Sequence, residues 1–290
     1  MAERVRGVAE SLSGVETMEG AGVRLQRLFG NAHVPRFDPF LLLDHFGSAD
    51  PHDYVAGFPW HPHRGIETVT YMLEGRIAHG DSLGNEGVIR SGDVQWMSSG
   101  SGIIHQEMPQ QREGRLAGFQ LWVNLPASEK MSTPAYRGLT APELPVVPLP
   151  NGGSVRVIAG AYEGVEGPVR DISVAPTYLD VTLPAHGELT LPTPRGHTAL
   201  GFVVEGGASL APGAPSTGAD QIVRFDDGDR ISLMAGDAGL RALMVTGRPL
   251  GEPVAWYCPI VMNRPEELSQ ALVELRRGDF VKERRPIVEG

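Results

Sequence analysis

One cysteine in 290 residues, Cys258, rules out a disulfide within the chain and points to a reducing compartment. Positive charge is also in short supply. The 25 Lys and Arg stand against 35 Asp and Glu, a formal net charge of −10. Proteins that bind a phosphate backbone gain affinity from clustered cations that displace counterions, and no such stripe is present. The nearest approach, "KERRP" close to the C-terminus, is interrupted by Glu283 and reads as a solvated tail. Direct nucleic-acid binding is therefore not expected. Long apolar runs are missing too: no segment approaches ~18 uninterrupted apolar residues, and "MAERVRGVAESLSG" lacks the apolar stretch of a secretory leader. The expectation is a cytoplasmic protein without a membrane span. No Gly-Lys-Thr phosphate loop, no Gly-x-Gly-x-x-Gly after a strand and no Gly-x-Ser-x-Gly elbow occurs.

Helical periodicity is equally scarce. The 37 Gly and 24 Pro break the chain every eight to twelve or so residues into short runs rich in Val, Ile, Leu, Thr and Tyr, such as "ETVTYMLEG", "LAGFQLWVNLP" and "GSVRVIAGAY". That is the pattern of an all-β sandwich or barrel. The exception is "NRPEELSQALVELRRGDF". Pro265 stands near a first turn with Glu266 and Glu267, Leu268, Leu272 and Leu275 recur at helical spacing, and Arg276 and Arg277 precede a Gly278 stop. Each charge complements the helix dipole, which predicts a short C-terminal helix of about twelve residues.

A duplication is visible. "TVTYMLEG" matches "ALGFVVEG", aligning Gly75 with Gly206, and "IRSGDVQWMSSGSG" matches "VRFDDGDRISLMAGDAG", aligning Gly92 and Asp93 with Gly228 and Asp229. Two similar β units follow. The expected division is a first barrel over 1–130, a Pro-rich linker over 131–152 and a second barrel over 153–290 that carries the helix.

The chemistry concentrates in two places. "FPWHPHRGIETVTYMLEG" puts His61 and His63 two residues apart, and "GSGIIHQEMPQ" does the same with His105 and Glu107. Residues i and i+2 of a strand share a face, so two strands would offer three imidazoles and a carboxylate to one interior, a donor set for a divalent transition metal with positions left for water or substrate. Glu67 joins that face only if the first strand runs unbroken past Gly65. In the second copy Pro192, Pro194, Arg241 and Leu243 stand opposite His61, His63, His105 and Glu107. All four ligand types are missing together while the turn glycines remain, so one unit is expected to hold a metal and the other to keep only the scaffold. Trp60, Trp96, Met97, Ile103 and Met108 are read as core packing before pocket lining. His45, His52 and His79 are read as structural or exposed, Arg64 as a salt-bridge partner, and Cys258 as non-catalytic.

These motifs, with the closing "VMNRPEEL", resemble the pirin family of bicupins over nearly the whole chain. The resemblance implies two cupin-type antiparallel β-barrels with a metal, most often iron(II), in the first alone. Mn, Co, Ni, Cu and Zn remain compatible with the donor types. By position the family's ligands fall on His61, His63, His105 and Glu107, with Glu107 ranked above Glu67, which serves instead as an outer or structural carboxylate. It also implies a dioxygenase of the quercetin 2,3-dioxygenase type, cleaving a flavonol or another phenol or enol with O2 and releasing carbon monoxide, Glu107 taking the proton. The alternative is a non-enzymatic metal-dependent redox sensor or regulatory protein with a protein partner. A metal-dependent isomerase ranks last, for want of a phosphate-binding cluster.

Overall fold

The computed structural model describes residues 3–257 and 259–283; Cys258 and the end of the basic tail lie outside them. The architecture is all-β with a single α-helix among the described residues. The chain divides into two compact units. One contains residues 16–34, 40–141 and the chain from 251 onward; the other contains the chain up to 15, residues 35–39 and 142–250.

The first unit is a two-layer sandwich. A seven-stranded antiparallel sheet runs in the order Ala135–Leu139, Val94–Ser98, Ile66–Glu74, Leu116–Asn124, Phe40–Ser48, Val23–Phe29 and Val15–Glu19. A four-stranded sheet runs Phe58–His63, Ile103–Pro109, Arg76–Asp81 and Glu86–Arg90. Alternation along each strand turns Leu25, Phe46, Met72 and Leu116 of the larger sheet against Ile77 and Ile89 of the smaller. The expected barrel is thus a cupin jelly roll of two facing sheets. Gly65 separates Phe58–His63 from Ile66–Glu74 at φ +76°, and a Cβ there would collide with the Val261 carbonyl oxygen. Only glycine fits, and the chain changes sheet at this point.

The second unit centres on two long strands, Thr198–Ser209 and Arg230–Gly247. The latter pairs with Glu188–Pro192 through its first residues and with Thr177–Leu183 through its last, so it bends across the fold. Val157, Val181, Val203, Val223, Leu233 and Ala242 fill its interior. The duplication has a structural counterpart in the turns: Gly75 and Gly206 both take positive φ, 95° and 75°.

Three expectations on domain limits are corrected. The chain ends are exchanged. Val8–Ser13 adds to Gln221–Phe225 in the second unit, because its alternating side chains match that edge. The helix Pro265–Arg277 belongs to the first unit, where Ile260, Met262, Ala271 and Phe280 share a cluster with Ile104. The supposed linker 131–152 contributes two strands: Ala135–Leu139 pairs with Val94–Ser98 and Val146–Pro148 pairs with Ser154–Ala159. Prolines are tolerated there because both are edge strands.

The helix ends as its sequence predicts. The Glu267 carboxylate accepts from the backbone N–H groups of Asn263 and Arg264, and Gly278 closes the helix at φ +78°. Its deepest residues are Ala271 and Glu274, with Leu268, Leu272 and Leu275 partly buried. Glu274 is inside because it meets the fully buried Arg64 at 2.7 Å, and Arg64 also donates to the Phe280 carbonyl at 2.9 Å. No helix of the described residues is long and apolar enough to cross a membrane.

Candidate metal centre

Strands Phe58–His63 and Ile103–Pro109 are antiparallel neighbours, with His105 opposite His61 and Ile103 opposite His63. Period-two alternation buries Ile103, His105 and Glu107 and turns Ile104 and Gln106 the other way. The three imidazoles converge. One ring nitrogen from each of His61, His63 and His105 lies within 4.8 Å of the others. Ring centroids are 4.3 Å apart for His61–His105 and 4.9 Å for His63–His105.

Their hydrogen bonds decide which nitrogens face inward. His61 Nδ1 lies 2.8 Å from the Pro59 carbonyl and His63 Nδ1 lies 3.2 Å from the Pro259 carbonyl. A carbonyl only accepts, so each Nδ1 carries the proton and each Nε2 is left with a lone pair. Fixing a ring through its second nitrogen in this way is how proteins orient metal-binding histidines. His105 is fully buried, yet among the described residues neither of its ring nitrogens has a hydrogen-bond partner. Buried polar atoms are seldom left unpaired, and a cation among the three rings would satisfy this one. Burial lowers the pKa of His63 and His105 well below the ordinary histidine value, reinforced by the neighbouring rings. The His63 and His105 rings are therefore neutral and offer lone pairs.

His61 and His63 line a cavity of about 560 Å³ in the first unit, together with Glu107, Thr70, Gln120 and, on its apolar walls, Leu25, Phe46, Phe58, Ile77 and Trp122. Glu107 is buried, and the Thr70 hydroxyl lies 2.9 Å from its Oε1 and 2.6 Å from Gln120 Oε1. One hydroxyl proton serves only one of these acceptors at a time, so Thr70 couples the carboxylate to the amide. Glu107 is outside the mutual grouping of the histidines and shares their cavity. Glu67 is not with them. The break at Gly65 places it on the larger sheet, opposite Ser98 and Val123. Burial pushes its pKa up to about 7, against opposing effects of Trp96 and Arg137.

His79 keeps its structural reading, and of the residues read as core Trp60 alone is exposed. His79 is buried, with Nε2 3.3 Å from Asp81 Oδ2 and Nδ1 3.2 Å from Gln95 Nε2, and its ring stacks on Tyr136 and lies 5.4 Å from His105. It backs the histidine cluster. Burial works to raise Asp81, but His79, Asn85 and the backbone N–H groups of Asn85 and Leu83 outweigh it and hold the carboxylate below its usual range. Met97 and Ile103 are core residues. Trp122, Thr70, Gln120 and Pro259 are not singled out by the sequence. Their only local signal is strand alternation, which does not say which strands become neighbours.

In the second unit the strand pairs that match His61–His105 and His63–Ile103 are Leu189–Leu233 and Leu191–Ile231, all in the apolar core. A separate cleft of about 410 Å³ is lined by Arg156, Asp180, Glu205 and Arg241 among others, on the face of that sheet away from the core. Arg241, set against His105 by the sequence alignment, is not its counterpart in strand register: it pairs with Thr182 and Glu205 and donates to both Asp180 oxygens, at 3.2 and 2.8 Å.

Comparison with known proteins agrees with the architecture. The Pirin family model matches residues 22–123, and the model of the Pirin C-terminal cupin domain matches 178–281. A pirin-like protein of Caulobacter vibrioides is 46% identical over 277 residues, covering 95% of this chain and 99% of its own. A Pseudomonas aeruginosa protein provisionally named as a quercetin 2,3-dioxygenase is 45% identical over 280 residues, covering 95% and 98%. The crystal structure of quercetin 2,3-dioxygenase from Acinetobacter baumannii aligns with a TM-score of 0.89 at 32% identity, covering 96% of this chain and 99% of that one. With two cupin units, both family domains and these relatives along nearly its full length, the chain belongs to the pirin family.

Proposed function

We propose that the protein is a metal-dependent dioxygenase that holds one divalent transition metal, iron(II) by preference, through His61, His63, His105 and Glu107, and cleaves a flavonol such as quercetin or a related phenol or enol with O2. The observation that carries this reading is the fully buried His105, unpartnered at both ring nitrogens and flanked by His61 and His63 within ligand distance. The names of the Pseudomonas and Acinetobacter proteins support the choice of reaction. A bound divalent ion supplies Lewis acidity to an enol or phenol oxygen and a redox centre for dioxygen.

The chain's own residues do the rest. Pro59 and Pro259 carbonyls keep the His61 and His63 rings turned inward. Glu107 accepts the hydroxyl proton of the substrate, a role that requires hydrogen-bond reach, and Thr70 holds the carboxylate through its Oε1. Leu25, Phe46, Ile77 and Trp122 cover the aromatic faces and exclude water from the reacting carbon. The single Cys258 fits a reducing, cytoplasmic setting.

The test is elemental analysis of protein purified without oxygen, paired with a quercetin assay that follows loss of flavonol absorbance and release of carbon monoxide. Turnover that vanishes on chelation and returns with iron(II) is the expected result. One metal per chain without turnover of any flavonol overturns the reaction, and a chain that takes up no metal overturns the site.

A further inference from the structure

The wall of the first cavity opposite the histidines carries one polar rung. In strand register Arg27 is paired with Asp44, Asp44 with Gln120, Gln120 with Thr70, and Thr70 with Gln95. The rungs on either side are largely apolar: Phe46, Gly118 and Met72 on one, Leu42, Trp122, Thr68 and Met97 on the other. A polar line of this length between apolar lines is not what packing of a sheet interior selects. At one end Thr70 contacts Glu107. At the other, Arg27 donates to both Asp44 oxygens at 2.9 and 2.8 Å and meets Glu19 at 2.9 Å. Arg27, Asp44, Gln120 and Thr70 all line the cavity.

Charge at the far end is decisive. Arg27 is the only Lys or Arg among the described residues of the cavity wall, and it is already shared between two carboxylates, so the cluster of Arg27, Asp44 and Glu19 is net negative. Asp44 is buried, and each of its oxygens keeps a lone pair beyond the one Arg27 uses. Such a carboxylate welcomes a hydroxyl donor and repels an anion. Its distance from Thr70 is two strand spacings, about 10 Å, the length of a phenol of two or three rings.

Resting on the dioxygenase reading above, we infer that Asp44, held by Arg27, is the specificity-determining acceptor for a hydroxyl at the end of the substrate remote from the histidines. The substrate class is then a neutral, planar polyphenol, its faces against the apolar rungs and its hydroxylated edge along the polar one; aromatic carboxylates are excluded.

The experiment measures binding to the full metal-loaded protein under nitrogen by quenching of tryptophan fluorescence. Three probes are used: 3-hydroxyflavone, which has only the chelating pair; quercetin, which adds hydroxyls on both outer rings; and 3-hydroxyflavone carrying a carboxylate on its outer phenyl ring. Quercetin should bind roughly tenfold more tightly than 3-hydroxyflavone, the effect of one hydrogen bond to a charged acceptor, and the carboxylate more weakly than either. Asp44→Asn should bring quercetin to within about twofold of 3-hydroxyflavone, on the scale of a neutral acceptor. Arg27→Met with Asp44→Leu replaces the whole ion pair by apolar volume and protects against misfolding; metal content serves as its fold control, and it should erase the preference as well. Equal binding of quercetin and 3-hydroxyflavone by the wild type, tighter binding of the carboxylate, or a preference that survives in the double variant overturns the inference and leaves the dioxygenase standing. Binding of no flavonol at all overturns both.

Discussion

The two cupin units answer one design question in opposite ways. Each must satisfy the polar atoms that line a cavity, the first inside its sandwich and the second on the sheet face away from its apolar core. The first cavity leaves His105 unpartnered beside His61 and His63. In the second, Leu189 and Leu233 fill the matching paired positions with apolar core, and Arg241 on the other face of the sheet closes on Asp180 as a two-pronged ion pair. Polar groups that satisfy each other need no ligand, whereas groups facing one another with lone pairs only, as neutral imidazoles do, call for a cation. The difference teaches that a β-sandwich cavity is a site only when its polar atoms cannot complete themselves.

The largest expected effect breaks the contrast from the first side. His105→Ala should weaken metal affinity by at least about a hundredfold, since loss of even an outer partner of a ligand costs about 10–100-fold. Elemental analysis after dialysis reads this directly, and Arg241→Ala should leave the metal content unchanged. A metal-replete His105→Ala protein would place the ion elsewhere.

Asp180→Ala tests the other cavity. It removes the carboxylate that accepts two Arg241 hydrogen bonds and should cost about 1.5–3 kcal/mol of unfolding free energy, the range for a hydrogen bond to a charged group, with Arg241 keeping some water contact. Urea unfolding measures it. Metal content should not move, and a loss of metal would mean that the two units are less independent in function than the contrast says.

The smallest effect concerns Glu67, the carboxylate that the break at Gly65 keeps away from the histidines. Its pKa is raised from the ordinary 4.5 to about 7 by burial. Between those values the unfolded chain ionises while the folded chain keeps its proton. Stability is therefore greatest below about pH 4.5 as far as this group is concerned and falls as pH rises through about 7. Glu67→Gln should remove that slope and stabilise the protein at pH 8 by about 1–3 kcal/mol, read as a higher urea midpoint. An unchanged midpoint at pH 8 would place the carboxylate in a site that stabilises its charge, as a metal would.

What the sequence disclosed follows from the range of each interaction. His61, His63, His105 and Glu107 were visible because strand alternation is a local rule. The helix was visible because its caps and charges lie within Asn263–Gly278. The repeat was visible through turns such as Gly75 and Gly206, which need positive φ. The fate of Glu67 depended on one dihedral at Gly65, itself imposed by Val261. The rung from Arg27 to Gln95 depended on register among five strands, which no single segment encodes. The exchange of the chain ends was hidden for the same reason: Val8 lies opposite Phe225, and nothing in "VAESLS" names its partner.

That exchange also sets a clock on the ribosome. His63 is aligned by the carbonyl of a residue 196 positions later. At about 5–20 residues per second, roughly 10–40 s pass between synthesis of the ligand and synthesis of the group that orients it. Through that interval the nascent first unit has its histidines but neither the Pro259 carbonyl nor the Phe280 and Glu274 partners of Arg64. The finished cradle therefore waits on the synthesis of residues 259–280, long after the histidines themselves.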